Sequence, residues 1–300
     1  MKQQQTFKGE NSPGVGMLML VPTPIGNLQD MTYRAVTTLQ EADIIAAEDT
    51  RHSKKLSHVF EIATPLISYH EHNKHLREQE LVNRALAGEV IALVTDAGTP
   101  GISDPGSELV VRFIEEDIPV HALPGANAAV TALVSSGLPT GTFSFIGFLD
   151  RHRKKRKETL ETWKNAPSTL IFYESPHRLK EMLKSVIEVL GDRKAVVSRE
   201  ITKQYETMLR GRLSAILAFV EGEGIKGECV VLVAGAEEAE AEKFGAVESV
   251  SWWETFSIEA HVAYHVEKGM RSKEAIKQVA KERSLPKRDV YQAYHVEEPE

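Results

Sequence analysis

The sequence predicts an α/β protein: two α/β domains plus a small helical appendage at the C-terminus. Three observations predict it. Apolar runs too short for helices alternate with amphipathic segments through the first 123 residues, the βαβ rhythm of a mainly parallel sheet. A sharp Pro/Gly break at 124–127 precedes a second set of strands and helices, whose late strands lie close together as in a mixed sheet with antiparallel members. An acidic, alanine-rich stretch at 237–250 then reads as a linker to a segment with helical periodicity only.

Three hundred residues, 42% of them hydrophobic, supply enough apolar surface for two cores. The net charge of −7 argues against a nucleic-acid coat over the whole surface but leaves room for local basic patches. No stretch approaches twenty apolar residues, so no membrane partner is expected. Residues 1–16 are polar, lack the apolar core of a signal peptide, and are expected to be disordered. The single cysteine, Cys229, lies in an apolar run, rules out an intramolecular disulfide and reads as a buried small hydrophobe of a cytoplasmic protein.

In the first domain, residues 17–123, strands are expected at 17–22, 44–47, 66–68, 90–94 and 119–123. Asp30 or Thr32 can cap the first helix, whose apolar stripe runs Met31, Ala35, Val36 and Leu39. Further helices are expected from about 50 to 60, through 86, and from Ser107. In the second domain, residues 124–236, a small-residue helix over 126–136 precedes strands at 143–148, 170–173, 195–198, 207–209 and 228–233. Helices at about 153–165, 177–190 and 212–221 lie between them. In the appendage, residues 251–300, an amphipathic helix over 272–281, a turn at 285–288 and a helix starting at 289 outline a helix-turn-helix.

The chemistry is expected at strand ends. The stretch 93–106, LVTDAGTPGISDPG, is a Gly-rich loop after a buried strand and before a helix, where an α/β protein presents its backbone to a ligand. Loops at 23–27, 48–51, 124–127 and 174–178 also carry Gly, Pro or paired charges, and loops that follow parallel strands gather at one sheet edge. The commonest ligands are excluded by the absence of GxGxxG after the first strand, of GxxxxGK[ST] and of GxSxG. His70, His72 and His75 have metal-like spacing but fall on a charged helix start without cysteine or carboxylate partners, so no metal is expected.

The segments PTPIGNLQDMTYRA, AAEDTRHS, VTDAGTPGISDPG, LPGANAAVTAL and FYESPHR, in this order, resemble the tetrapyrrole methylase superfamily of S-adenosylmethionine-dependent enzymes. More closely they resemble its ribosomal RNA branch, which methylates a cytidine 2'-oxygen in 16S rRNA of the small ribosomal subunit. The match runs from about 18 to 235, and the helical tail is similar to that branch as well. The resemblance implies two α/β domains, homodimers, and S-adenosylmethionine in the cleft between the domains. Residue by residue, it implies cofactor contacts at Gly98, Thr99, Pro100, Gly101 and Ile102, at Pro24 and Ala126, and at Tyr173 and the strand around Val231. Thr99 stands where the wider family has aspartate, which leaves Asp96 as that loop's carboxylate.

A ribose 2'-hydroxyl is a poor nucleophile while protonated, so a general base or an alkoxide-stabilising cation is expected. The candidates are Glu48, Asp49, Arg51, Glu174, His177 and Arg178, with Lys203 as a weaker one. Each has an ordinary alternative: Asp49 as a helix N-cap, Glu48 and Arg51 as a salt bridge at a helix start, Arg178 as a cap or surface ion pair. The residues themselves do not choose the base. RNA contact needs phosphate-facing cations. The run Arg151, Arg153, Lys154, Lys155, Arg156 and Lys157, with only His152 between, is the strongest local basic signal, and the tail is a second. Two rivals stay open: methylation of a small tetrapyrrole, which needs no extended basic surface, and a non-catalytic RNA- or nucleotide-binding protein, which does not need the charged pairs.

Overall fold

Apolar runs of three to six residues become the strands of two separate sheets. The computed structural model of the chain describes Gln4, residues 14–237, Ala241, Trp253, 256–283 and 285–295. The first sheet holds β1 (Met17–Leu20), β2 (Ile44–Ala47), β3 (Leu66–Ser68), β4 (Val90–Val94) and β5 (Val120–Ala122) in the order β3-β2-β4-β1-β5, every pair parallel. Strands buried on both faces read as unbroken apolar runs, which is why they are visible in the sequence. In β2, Ile44 and Ala46 join a core with Leu81, Val82 and Phe113 of α3 (Lys74–Leu86) and α4 (Ser107–Glu115). The alternate residues Ile45 and Ala47 pack with Ala35 and Leu39 of α1 (Tyr33–Glu41) on the opposite face. Thr32, the second of the two expected caps, starts α1: its Oγ1 accepts the Ala35 N–H at 3.0 Å. Helix α2 (Thr50–Val59) follows β2.

The second sheet is mixed, as expected. It comprises β6 (Phe143–Phe148), β7 (Thr169–Glu174), β8 (Lys194–Arg199), β9 (Thr207–Arg212) and β10 (Cys229–Val233) in the order β6-β7-β10-β8-β9. Only the β6–β7 pair is parallel. β9 runs three residues beyond its expected end because Arg210-Gly211-Arg212 reads as polar, yet an edge strand tolerates charge. Helices α6 (Arg153–Thr162), α7 (Pro176–Leu190) and α8 (Leu213–Glu223) contribute Leu160, Leu179, Leu183 and Ile216 to the core on one face. On the other, Ala129, Ala132 and Leu133 of α5 (Ala128–Ser136) pack against Ile171, Val196, Val230 and Leu232. Ile25, from the loop after β1, packs on that same cluster and joins the two halves.

Both sheets belong to one compact unit within Met1–Ala241, and Glu242–Glu300 contain a second. The second unit packs Val262 of α9 (Ile258–Glu267), Ile276 and Val279 of α10 (Ser272–Glu282) and Val290 of α11 (Lys287–His295) into one small core. The last two helices flank the expected turn. Helix α9 was not expected, because its inward face includes His261 and His265, which read as polar in the sequence. The segment 1–16 and the linker 237–250 fall almost wholly outside the described residues. No described helix is long and apolar enough to cross a membrane.

Candidate active site

Four of the five Gly-, Pro- and charge-rich loops are tied to one another by hydrogen bonds at one edge of the first sheet. The Thr23 and Gly98 backbones exchange two, at 2.9 and 3.0 Å, and the Thr23 hydroxyl donates to the Thr95 carbonyl at 3.0 Å. The Asp49 N–H donates to Asp96 Oδ1 at 3.1 Å. Thr99 Oγ1 donates to the Ala126 carbonyl at 3.0 Å, and three residues later the Ala129 N–H donates to the Tyr173 hydroxyl at 3.2 Å. The fifth loop follows Tyr173, so the chain of contacts runs from β1 across the first sheet to β7 of the second.

Behind these bonds lies a cavity of about 380 Å³ between the two halves. Ile25, Ala97, Ile102, Ala128, Phe148, Ile201 and Val230 give it apolar walls. Thr99, Ser103, Asp104, Asn127, Tyr173 and Glu174 supply the polar groups. Glu174 is 2% exposed, and its Oε1 accepts the Ser175 N–H at 2.8 Å and lies 3.3 Å from Arg178 Nε. Its Oε2, also buried, has no hydrogen-bond partner among the described residues. Burial pushes the Glu174 carboxyl above the usual range against the pull of Arg178 and Arg156. A buried acceptor without a donor is costly unless a ligand provides one.

A second cavity of about 450 Å³ adjoins the first and shares Ile25, Ala97, Lys203 and Glu228 with it. Lys203 Nζ bridges Glu200 Oε1 and Glu228 Oε2, each at 3.1 Å. Gly26, at φ +150°, lies against the Lys203 stem, where a Cβ would come within 2.4 Å of Lys203 Cγ. Asp104 lines the first cavity and Asp96 the second, and both interact electrostatically with Glu48. Burial, reinforced by the charges of Glu48 and Asp96, raises Asp104 to about 7. Burial and the Asp96 charge raise Glu48 as well.

A family model of tetrapyrrole (corrin/porphyrin) methylases matches residues 17–217. The chain belongs to the tetrapyrrole methylase family. Over 99% of its length it is 49% identical to the Ribosomal RNA small subunit methyltransferase I of Bacillus subtilis, and 52% identical to that of Halalkalibacterium halodurans, covering 100% of each. A crystal structure of uroporphyrin-III C-methyltransferase from Thermus thermophilus matches with a TM-score of 0.54 at 19% identity, covering 77% of this chain and 97% of that one. Another structure of that enzyme, complexed with S-adenosyl homocysteine, gives a TM-score of 0.50, likewise at 19% identity, over 73% of this chain and 97% of that one.

The methylase brings only part of the expected set onto the first cavity. Gly98, Thr99, Ile102, Tyr173 and Glu174 line it. Pro24 and Asp96 line the second cavity instead. Pro100, Gly101 and Ala126 are not on either wall; Ala126 contributes the carbonyl that holds Thr99. Val231 is a correction. Alternation along β10 turns it, with Cys229, into the core beneath α7 and α8 and sends Val230 to the cavity side; Cys229, at the start of the strand, also borders the cavity. Asp49 caps α2, its ordinary alternative, and it is Asp49 rather than Glu48 that pairs with Arg51: Asp49 Oδ2 lies 2.7 Å from Arg51 Nη2. Its carboxyl is held well below the usual range by that pair, while Arg51 is 88% exposed. His177 is exposed and lines neither cavity, and Arg178 donates to the Leu149 carbonyl. Asp104, which also lines the first cavity, is not among the expected site residues, and its one signal in the sequence is an aspartate before a proline in the Gly-rich loop.

The cationic run of the methylase is also corrected. Arg156 is only 6% exposed: its Nε donates to Ser185 Oγ at 2.9 Å and its Nη1 to the carbonyls of Asp150 and Arg151 at 3.2 Å each. Position 156 falls on the inward face of α6, so this guanidinium serves the core. Arg153 and Lys157, one turn apart on α6, both pair with Glu188 of α7. Arg151, Lys154 and Lys155 remain exposed.

One group of metal-ligating side chains exists among the described residues, His261, His265 and Glu282 in the second unit. Arg283 Nε donates to His261 Nδ1 at 3.1 Å, so the ring proton sits on Nε2, which faces Glu282 Oε2 at 2.8 Å.

Proposed function

We propose that this chain transfers the methyl group of S-adenosylmethionine to the ribose 2'-hydroxyl of a cytidine in 16S rRNA of the small ribosomal subunit. The observation that carries the reading is an interlobe cavity walled by the family's loop motifs, in a chain 49–52% identical over nearly full length to relatives named small-subunit ribosomal RNA methyltransferases. The cavity suits the cofactor. Its volume lies within the ordinary ligand range, its walls are apolar, and Glu174 Oε2 awaits a donor such as an amino group. When bound, the cofactor supplies a methyl carbon that takes the ribose oxygen's electron pair as its bond to the sulfonium sulfur breaks. The chain's own work is positioning: Ile25, Ala97 and Val230 keep water from the charged sulfur, and Thr99 and Tyr173 hold the two halves at a set spacing. The hydroxyl proton passes to the carboxylate group of Glu48, Asp96 and Asp104. Asp104, raised to about 7, has the proton affinity a general base needs near neutral pH.

We extend the proposal to the rest of the chain. Residues 17–123 and 124–236 act as the two domains, 237–250 as a linker and 251–300 as an appended helical domain. The enzyme works without a metal as a cytoplasmic homodimer. Val130 and Val134, 47% and 69% exposed on one face of α5, support self-association, and the buried thiol of Cys229 suits a reducing compartment. Arg151, Lys154 and Lys155 contribute to RNA contact. The test is to incubate the protein with labelled S-adenosylmethionine and small ribosomal subunits, naked rRNA or a tetrapyrrole. Label on an RNA ribose is expected. Label on a base or on the tetrapyrrole overturns the 2'-O assignment, and label nowhere overturns the enzyme.

A further inference from the structure

Helix α11 has a face that the small core of its unit does not use. The Pro286 carbonyl starts the helix by accepting the N–H groups of Asp289 and Val290 at 3.0 and 3.3 Å. Val290 is then buried among Val262, Ile276 and Val279, which fixes the rotation of the helix about its axis. Arg288, Tyr291, Gln292 and His295 recur at i, i+3, i+4 and i+7, so they share the opposite face, and all four are exposed. Tyr291 is 52% exposed, and its ring centroid lies 4.5 Å from that of His295 at an interplanar angle of 51°.

The charges of the unit divide into engaged and open ones. Arg283 is engaged: its Nη2 donates to the carbonyls of Trp253 and Phe256 at 2.8 and 2.6 Å. Lys268 sits over the Tyr264 ring, 4.5 Å from its centroid. Arg288 has no ion pair among the described residues, and Asp289, the only acid of α11, falls outside the exposed face. On α10, Lys273, Lys277 and Lys281 recur every fourth residue, exposed, with Glu274 as that helix's one exposed acid. Residues 256–295 hold eight Lys or Arg against five Asp or Glu, so the unit carries a positive field in a chain of net charge −7.

The outward face of α11 contains no aliphatic side chain, the anchor by which a helix seats itself in a groove of another protein. It contains instead a cation, an amide and two neighbouring rings. An unpaired nucleotide needs the same set: a cation for its phosphate, an amide for its base edge and a ring on which the base stacks. We propose that this face of α11 binds an unpaired stretch of RNA, with a base stacked on Tyr291 and His295 and Arg288 on the backbone phosphate. The proposal rests on the reading that RNA is the substrate, and it adds to the cations of α6 a contact made through rings.

The test uses the full chain. Affinity for naked 16S rRNA and for small ribosomal subunits is measured across a salt series for the wild type, Tyr291→Ala, Tyr291→Phe and Arg288→Gln. Thermal melting and calorimetric affinity for S-adenosylmethionine are measured alongside. Tyr291→Ala is expected to weaken binding of both RNA forms about tenfold or more with an unchanged salt slope, and Tyr291→Phe to keep wild-type affinity. Arg288→Gln should lower the slope of log K against log salt by roughly 0.7, one single-strand phosphate contact. Melting and cofactor affinity should not move in any variant. Wild-type RNA affinity in Tyr291→Ala would overturn the proposal, as would a phenylalanine variant as weak as the alanine one. A loss confined to the assembled subunit would assign the face to a ribosomal protein, and a loss of melting temperature or cofactor affinity would assign it to packing within this chain; either overturns the proposal. A wild type that neither binds 16S rRNA nor transfers label to it would instead overturn the RNA reading itself, which keeps the two failures distinct.

Discussion

Thr99 Oγ1 donates to the Ala126 carbonyl at 3.0 Å, a side-chain bond between the Gly-rich loop after β4 and the break that leads into α5. Thr99 lines the first cavity and Ala126 does not, so the bond couples the wall of that cavity to the segment joining the two halves. A threonine here fits a positioning role: the hydroxyl donates to a backbone carbonyl, which an ionised carboxylate cannot do.

Thr99→Val keeps the shape of the side chain and removes the donor. It should cost about 1 kcal/mol of stability and lower cofactor affinity several-fold, with Thr99→Ser restoring both. Calorimetric titration and thermal melting decide it. Wild-type cofactor affinity in the valine variant would show that the bond has no part in holding the site.

Gly98 and Gly101 separate two demands that glycine can meet. Both have φ near +80°, but a Cβ at Gly98 would stand 3.3 Å from Ile25 Cγ2, whereas at Gly101 the nearest atom is 3.9 Å away. Alanine at either position should cost about 1–2 kcal/mol for the left-handed backbone. Only Gly98→Ala should also weaken cofactor binding, because Ile25 lines both cavities. Equal cofactor affinity in the two variants would refute the distinction.

Much of this was legible in the sequence for physical reasons. β2, β3, β4 and β6 have the expected limits because each apolar run is bounded by turn residues or charge, and the loops announced themselves through Gly and Pro. What depends on three-dimensional neighbours was not. The resemblance implies the strand around Val231, but which of its residues faces the cavity is not legible, because the face of a fully apolar strand cannot be read from its own residues. The α6 cations looked free because Glu188 and Ser185 lie about 30 residues further on. Asp104 is raised first by burial and then by the charges of Glu48, which arrives from the end of β2, and of Asp96 in its own loop.

The Arg156 environment predicts that the basic run divides by function. Arg156→Met leaves Ser185 Oγ and two carbonyls without their donor and removes one of the two guanidinium charges that favour the buried Glu174 carboxylate. It should cost about 2–4 kcal/mol of stability. Lys154→Met and Lys155→Met, at exposed positions, should stay within about 0.5 kcal/mol of the wild type. Denaturant melts make the comparison, and equal stabilities across the three would show that Arg156 is not a core group.

Asp104 gives the clearest pH dependence. Its proton affinity in the fold is about 7 against an ordinary 3.8, raised first by burial and then by the Glu48 and Asp96 charges. The folded chain therefore keeps a proton that the unfolded chain has released, and the stability tied to this group falls as pH rises from about 4 to 7. Below that window the group has no effect; above it the ionised carboxylate destabilises the fold. Asp104→Asn should remove this slope, stabilising the protein by about 1–2 kcal/mol at pH 8 after solvent screening, and leave stability at pH 4 unchanged. The same substitution should lower kcat by about 10²–10⁴ and abolish the rise of the wild-type rate with pH near 7, since the amide cannot accept the ribose proton. Denaturant melts at the two pH values and single-turnover rates across the range read both effects. A variant that keeps the wild-type pH–rate profile would remove Asp104 from proton transfer, whatever its effect on stability.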